Sequence, residues 1–206
     1  MTRRARLLRL GVSWAGVGIG VPLLVNADLG LGPFDVLNSG LSRASGWSFG
    51  LCFIIASIVF FATGRLLGAR LGWTCLVGTV VIGAMVNLVL RVLPEPDAIA
   101  TRIAFLVVGI AIIATAICLV ISTEMGPGPT EVVMIGLAQR GMGIAGARWL
   151  ADGTSVVAGA LLGGSIGPGT LVFAVGMAPM VKFGLRRLGY SPVVSSAALS
   201  AEPSAA

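Results

Sequence analysis

Gly30-Leu31-Gly32-Pro33-Phe34-Asp35 occurs again 96 residues later, as Gly126-Pro127-Gly128-Pro129-Thr130-Glu131. Across 28–41 and the second copy, six of fourteen positions are identical. Self-similarity at one fixed offset indicates an internal duplication. The same offset relates Asp28 to Glu124, Gly68 to Gly164, Thr74 to Thr170 and Arg91 to Arg187. The chain is therefore predicted to consist of two related halves.

Each copy of this Gly-x-Gly-Pro motif predicts a sharp turn followed by the start of a helix. Proline is favoured at the first helical position, where no amide hydrogen is needed. The preceding glycine is then the N-cap, and the acid lies in the first turn, where the helix dipole favours a negative charge. The glycine two residues before the N-cap permits a backbone reversal. These positions are Gly30, Gly32, Pro33 and Asp35 in the first copy, and Gly126, Gly128, Pro129 and Glu131 in the second.

The composition predicts an integral membrane protein. Hydrophobic residues make up 56% of the chain and charged residues 11%, and the mean hydropathy is +1.01. Histidine is absent, so the usual general base and commonest metal ligand are missing. The three cysteines, Cys52, Cys75 and Cys118, lie singly in apolar runs, which predicts neither a disulfide framework nor a metal site. We expect no cofactor, no catalytic residue and no nucleic-acid partner.

Six apolar runs are long enough to cross a bilayer core, which requires about 20 residues each. The predicted fold is an all-α polytopic membrane protein with a short half-helix in each half, at 33–44 and 129–140. The six spans are placed near 9–27, 48–67, 72–92, 102–122, 147–164 and 168–187. The predicted organisation is a basic N-terminus at 1–8, repeat 1 at 9–93, a linker at 94–101, repeat 2 at 102–189 and a disordered tail at 190–206.

The distribution of positive charge predicts the orientation. With a cytoplasmic N-terminus, the outer side receives only Arg43, Arg91 and Arg102 of the 14 basic residues. An excess of Lys and Arg on the cytoplasmic side is the usual topology signal, and it accounts for the pI near 10.6. Both termini are then cytoplasmic in a cell (inner or plasma) membrane. The cytoplasmic residues are Arg3, Arg4, Arg6, Arg9, Arg65, Arg70, Arg140, Arg148, Lys182, Arg186 and Arg187.

Three spans per repeat is an odd number, so the second repeat enters the membrane inverted with respect to the first. The two Gly-x-Gly-Pro segments then begin on opposite faces. Inverted repeats with interrupted helices at their interface are the plan of many secondary transporters. This arrangement predicts a central site at the two motifs.

Candidate site residues each have a functional and a structural interpretation. Asp35 and Glu131 either face a shared pathway or act as capping acids of interfacial helices. Asp152 lies within the fifth span, at the position that Ala56 occupies in repeat 1. It either contributes to the central site or pairs with Arg148. The secondary candidates are Asp28, Glu124 and Asn87. Their structural interpretation is that Asp28 and Glu124 are solvated ends of spans and that Asn87 is an interhelical hydrogen-bond link.

The sequence resembles the YczE/YyaS/YitT-type bacterial integral membrane proteins. The resemblance rests on GLGPFDVLNSGLS (30–42), GPGPTEVVMIGLA (126–138) and GSIGPGT (164–170), and it covers about 15–190. The second copy departs from the pattern at Thr130-Glu131, where an aromatic residue or Arg followed by Asp is more typical. The resemblance implies a polytopic membrane protein without an established substrate.

Two functions are predicted as alternatives. The first is a small-solute transporter or permease whose partners are the lipid bilayer and an unidentified solute. The second is a non-transporting scaffold or accessory protein for a membrane partner or a homo-oligomer. An enzyme is not expected, because no nucleophile–base pair is visible.

Overall fold

The computed structural model describes residues 3–123 and 126–189. Within these two ranges the chain forms eight α-helices and no β-strand. The helices are α1 (Arg3–Ala27), α2 (Pro33–Ser45), α3 (Phe49–Leu66), α4 (Trp73–Val92), α5 (Ile99–Thr123), α6 (Pro129–Gln139), α7 (Ile144–Leu161) and α8 (Pro168–Arg187). The predicted tail at 190–206 lies outside the described residues.

The order and length of the helices follow the repeat seen in the sequence. α1 and α5 each have 25 residues and begin 96 residues apart, and α2 and α6 begin at the two motif prolines with the same offset. From α3 to α7 and from α4 to α8 the offset is 95, because the segment from Pro33 to Phe49 is one residue longer than that from Pro129 to Ile144. The N-caps Gly72 and Gly167 therefore correspond. The predicted pairings of Gly68 with Gly164, Thr74 with Thr170 and Arg91 with Arg187 are each wrong by one residue.

Five of the described helices are long and apolar enough to cross a membrane: α1, α3, α4, α5 and α8. They coincide with five of the six predicted spans, although α1 begins at Arg3 rather than near residue 9. The span predicted at 147–164 corresponds to α7, which does not belong to this group. Its apolar character is reduced by Arg148, Asp152, Thr154 and Ser155. The five helices indicate a membrane protein.

The first helices of the two halves, α1 and α5, form the centre of the bundle. Gly16 and Gly20 of α1 lie against Ala116 and Ile113 of α5, so the two backbones approach closely. Small residues at such crossings are typical of membrane helices. The hydroxyl of Ser13 donates a hydrogen bond of 2.8 Å to the Ala116 carbonyl across the same contact. α4 packs on α1 and α8 packs on α5, so corresponding helices have corresponding partners.

The short helices pack across the boundary between the repeats. α2 contacts α7 of the second half, and α6 contacts α3 of the first half. Corresponding glycines make the closest approach in both cases: Gly159 lies against the backbone of Val36, and Gly64 lies against Val132. Each short helix also packs on the span that follows it in its own half, so both α2 and α6 bridge α3 and α7.

An arginine at the end of each short helix strengthens this packing of the short helix on the other repeat. Arg43, in the last turn of α2, donates hydrogen bonds of 2.9 Å to the Gly163 carbonyl and 2.8 Å to Ser165 Oγ, just beyond α7. Arg140, the C-cap of α6, donates to the carbonyls of Leu66 and Leu67 at the end of α3, at 2.9 and 3.3 Å. Unpaired carbonyls at a helix C-terminus require such donors. Neither sequence pattern predicted this role.

Candidate functional site

The two motifs form the predicted helix starts. Gly32 and Gly128 are N-caps in extended conformation, Pro33 and Pro129 begin α2 and α6, and an acid lies in each first turn. Gly30 has a φ of 111°, a conformation that favours glycine. The predicted helix starts are therefore confirmed in both copies, and the predicted backbone reversal is confirmed at Gly30.

The turn before each short helix rests on the start of the fourth helix of the other half. Gly30 lies against Gly167 and Thr170, and the amide of Gly169 donates a 2.7 Å hydrogen bond to the Leu29 carbonyl. A side chain on Gly30 would come within 2.7 Å of the Gly167 nitrogen. In the second half Gly126 lies in the same way against Thr74 and Cys75 of α4. The glycine–proline turn at 166–170 thus has a structural role, as a platform for the first motif.

Glu131, Arg148 and Asp152 form an ion-pair cluster at the start of α6. Arg148 Nη1 lies 3.0 Å from Glu131 Oε1, and Arg148 Nε lies 2.6 Å from Asp152 Oδ2. Arg148 and Asp152 are one helical turn apart on α7, so the arginine joins α6 to α7. The side chain of Glu131 is 36% exposed, that of Arg148 is 45% exposed and that of Asp152 is 23% exposed. The cluster holds two carboxylates around one cation and is partly exposed at the protein surface.

Asp35 has a different environment at the start of α2. Its side chain is buried, and the Asn38 amide donates a weak hydrogen bond of 3.5 Å to Asp35 Oδ1. Burial raises the pKa of the Asp35 carboxyl from 3.8 to about 7, against a lowering effect of the Asn38 amide. Among the described residues no cation pairs with this carboxyl.

The contrast between the two halves follows from the helix register. With the 95-residue offset of α3 and α7, Arg148 corresponds to Phe53 and Asp152 corresponds to Ser57. The predicted correspondence of Asp152 with Ala56 is wrong by one residue, because the shorter connection before α7 shifts the register. Repeat 1 therefore has an aromatic ring and a hydroxyl where repeat 2 has an arginine and a carboxylate.

The secondary candidates have structural partners. Asp28, at the end of α1, pairs with Arg102 at 3.9 Å across exposed side chains. Asn87 accepts a 2.8 Å hydrogen bond from the Gly50 amide and donates one of 3.1 Å to Ser48 Oγ, so it links α4 to the start of α3. Glu124 lies outside the described residues.

Sequence reasoning missed two buried polar side chains, Asn38 one turn after Asp35 on α2 and Ser57 on α3. Asn38 and Ser57 are fully buried, and Asn38 Oδ1 and Ser57 Oγ have no hydrogen-bond partner among the described residues. The available signal was the i, i+3 spacing of Asp35 and Asn38 on α2, which places both on one helix face. No group of three His, Cys, Asp or Glu side chains within the described ranges is arranged to hold a metal ion.

Replacement of Arg148 with glutamine tests the ion-pair cluster. The change leaves Glu131 and Asp152 as neighbouring carboxylates without a cation, and we expect a loss of about 1 to 2 kcal/mol in stability, limited by solvent screening. The measurement is the thermal unfolding of the purified protein in detergent. Combining Arg148→Gln with Asp152→Asn should restore part of the loss, and an additive loss in the double variant would contradict the proposed coupling.

Comparison with known proteins places the chain in a family. Residues 3–186 match the profile of DUF6198, described as a family of unknown function. An uncharacterized protein of Haemophilus influenzae is 29% identical over 177 residues, which cover 85% of this chain and 81% of that protein. No solved structure gives a significant match to the chain. The resemblance to YczE/YyaS/YitT-type proteins stays a prediction. The chain belongs to the DUF6198 family of unknown function.

Proposed function

We propose that this protein is a small-solute transporter built from two inverted repeats, with a central site formed by the starts of α2 and α6. The observation that carries the proposal is that both short helices bridge the same two helices, α3 and α7, one from each repeat. Each short helix begins with Gly-Pro and has an acid in its first turn. Half-helices at a repeat interface are the usual substrate site of such transporters.

In this proposal α7 is the sixth membrane-crossing helix and lines an aqueous pathway. An ionisable residue in a membrane helix is costly in lipid and normally faces protein or water. Arg148 and Asp152 are partly solvent-exposed and neutralise each other in part. Polar residues on α7 therefore support a wet pathway beside the motif of repeat 2.

The basic residues are concentrated in the termini and in the connections on one side of the spans. Because such an excess usually marks the cytoplasmic side, it supports an inner or plasma membrane protein with cytoplasmic termini. The proposed site includes Gly30, Gly32, Pro33, Asp35, Gly126, Gly128, Pro129, Glu131 and Asp152. It transfers a solute without cofactor or covalent chemistry.

Cysteine accessibility from each side of the membrane tests this proposal. Cys52, Cys75 and Cys118 are buried and free, so they are replaced to give a silent background. Single cysteines are then placed along 28–44 and 124–140, and small membrane-impermeant thiol reagents are added to intact cells and to inside-out vesicles. We expect positions near Gly32 and Gly128 to react from opposite faces, at membrane depth.

A different labelling pattern would favour the alternative function. Uniform reaction of each segment from a single face would place both short helices flat in the interface. The transporter would then have no central site, and a scaffold for a membrane partner would be the better interpretation.

A further inference from the structure

Two buried polar side chains of α2 and one of α3 take part in no ion pair among the described residues, in contrast to the cluster of the other half. The group consists of the Asp35 carboxyl, Asn38 Oδ1 and Ser57 Oγ. Leaving a buried acceptor or hydroxyl without a partner costs about 1 to 3 kcal/mol. Asn38 Oδ1 and Ser57 Oγ are two such atoms, and Asp35 has only the long hydrogen bond from Asn38 among the described residues, which points to a second state in which these bonds are made.

Contacts between α2 and α3 place Ser57 toward Asp35. The ring of Phe34 packs edge-on against Phe53 at 5.6 Å and against Phe60 at 5.2 Å. Ser57 is one turn from each of these rings on α3, so it lies on the face that meets the first turn of α2. In the other half the corresponding residue, Asp152, joins the cluster of Glu131.

No charged side chain described on the helices around Asp35 forms an ion pair with it. On α2 Arg43 is bound to Gly163 and Ser165, and on α7 Arg148 is bound to Glu131 and Asp152. Within the described residues no ion pair reaches Asp35 from the remaining ionisable groups of the neighbouring elements. These groups are Cys52 and Arg65 on α3, and Lys182, Arg186 and Arg187 on α8, whose Phe173 touches Gly32.

We propose that Asp35, Asn38 and Ser57 form a proton-binding site, which is the coupling site of the transporter, while Glu131 stays ionised against Arg148. A proton from water binds one carboxylate oxygen of Asp35, and the resulting hydroxyl donates to Asn38 Oδ1. Rotation of the Asn38 amide about its terminal torsion exchanges donor and acceptor, so the same side chain serves the ionised and the neutral carboxyl. The hydroxyl of Ser57 can likewise donate or accept.

The coupling role rests on the proposed function, but proton binding can be measured without a solute. The raised pKa of Asp35, about 7, agrees with a group that exchanges its proton near neutrality. Since an ionised carboxylate in a dry site is disfavoured, the proton binds when the site closes and leaves when water enters.

Infrared difference spectroscopy of the purified protein in detergent tests the proposal. We expect the wild-type protein to show the C=O band of a carboxylic acid, and this band should disappear as the pH rises through about 7. The acid-to-carboxylate ratio should change about tenfold per pH unit. Asp35→Asn should remove this band, and the matched change in the other half, Glu131→Gln, should leave it in place.

A second variant keeps the test independent of the folding of Asp35→Asn. Asn38→Ala removes the acceptor of the carboxylic acid, and we expect the C=O band to move to higher frequency, as for a weaker hydrogen bond. An unmoved band in Asn38→Ala, or an unchanged band in folded Asp35→Asn, would overturn the assignment.

Sodium provides a further discriminating measurement. The melting temperature is compared in NaCl and in choline chloride at a pH at which Asp35 is ionised. If NaCl raises the melting temperature of the wild-type protein but not of Asp35→Asn, the site binds a metal cation, and the proton-site assignment is overturned. Failure of proton binding with the expected cysteine labelling would leave the transporter proposal standing. The converse result would leave a proton site in a protein of another function.

Discussion

Gly159→Leu is expected to destabilise the folded protein strongly. A Cβ atom at Gly159 would lie 2.5 Å from the carbonyl carbon of Val36 and 2.6 Å from the Leu37 nitrogen. Both are backbone atoms of α2, so no side-chain rotation can relieve the contact. Overpacking that forces backbone movement commonly costs about 1–3 kcal/mol and sometimes more. Because this contact holds α2 on the other repeat, we expect a loss at the upper end, about 3 kcal/mol or greater.

The measurement is the yield of monodisperse protein after detergent extraction, together with its melting temperature. Gly153→Leu is the matched control, since Gly153 lies on the same helix and has no atom within 4 Å of an added Cβ. Leucine is the better helix former by roughly 0.8 kcal/mol, so this control should be neutral or slightly stabilised. Normal folding of Gly159→Leu would show that α2 does not depend on α7.

The helix starts could be predicted from the sequence because local chemistry determines them. Pro33 and Pro129 fix the first residue of each short helix through their φ angle and missing amide hydrogen, whatever the helix packs against. The apolar runs likewise predicted the five helices that are long and apolar enough to cross a membrane, because the thickness of a bilayer sets the length that such a run requires.

The exchange of α2 and α6 between repeats could not be predicted, because it depends on contacts far apart in the chain. Nothing in the Gly-x-Gly-Pro motif specifies that α2 packs on α7, and the glycines that permit it, Gly64 and Gly159, lie in other helices. The site register failed for a related reason. An offset measured at the motif does not carry through the following loop, where one residue is lost, so Ser57 rather than Ala56 corresponds to Asp152.

The difference between the two acids also depends on tertiary structure. Asp35 and Glu131 occupy equivalent positions in the sequence, and a capping role predicts the same behaviour for both. Packing gives Glu131 a cation from α7 and gives Asp35 the neutral amide of Asn38. The two motifs are alike in sequence, and the different neighbours of their acids make the electrostatics of the two helix starts unequal.

Asp35→Asn and Glu131→Gln are each expected to abolish solute flux while leaving membrane insertion and folding intact. Asparagine cannot exchange a proton, so the coupling site stays neutral in every state. Glutamine leaves Arg148 with Asp152 alone, which changes the charge of the cluster at the start of α6. We expect a reduction in uptake of at least about 100-fold, which corresponds to roughly 2.7 kcal/mol in activation free energy.

Uptake into proteoliposomes provides the measurement, with a solute first identified by its stabilising effect on the purified protein. Asp28→Asn is the control: this carboxylate is close to the first motif in sequence, but it is exposed and its pairing with Arg102 is at 3.9 Å. A surface pair of this kind contributes about 1 kcal/mol at most, so the control should retain wild-type flux. Retained flux in both Asp35→Asn and Glu131→Gln would remove the central site from the proposal. Loss in Asp28→Asn as well would point to a general effect of charge near the membrane surface, because Asp28 lies outside both polar groups that the motifs build.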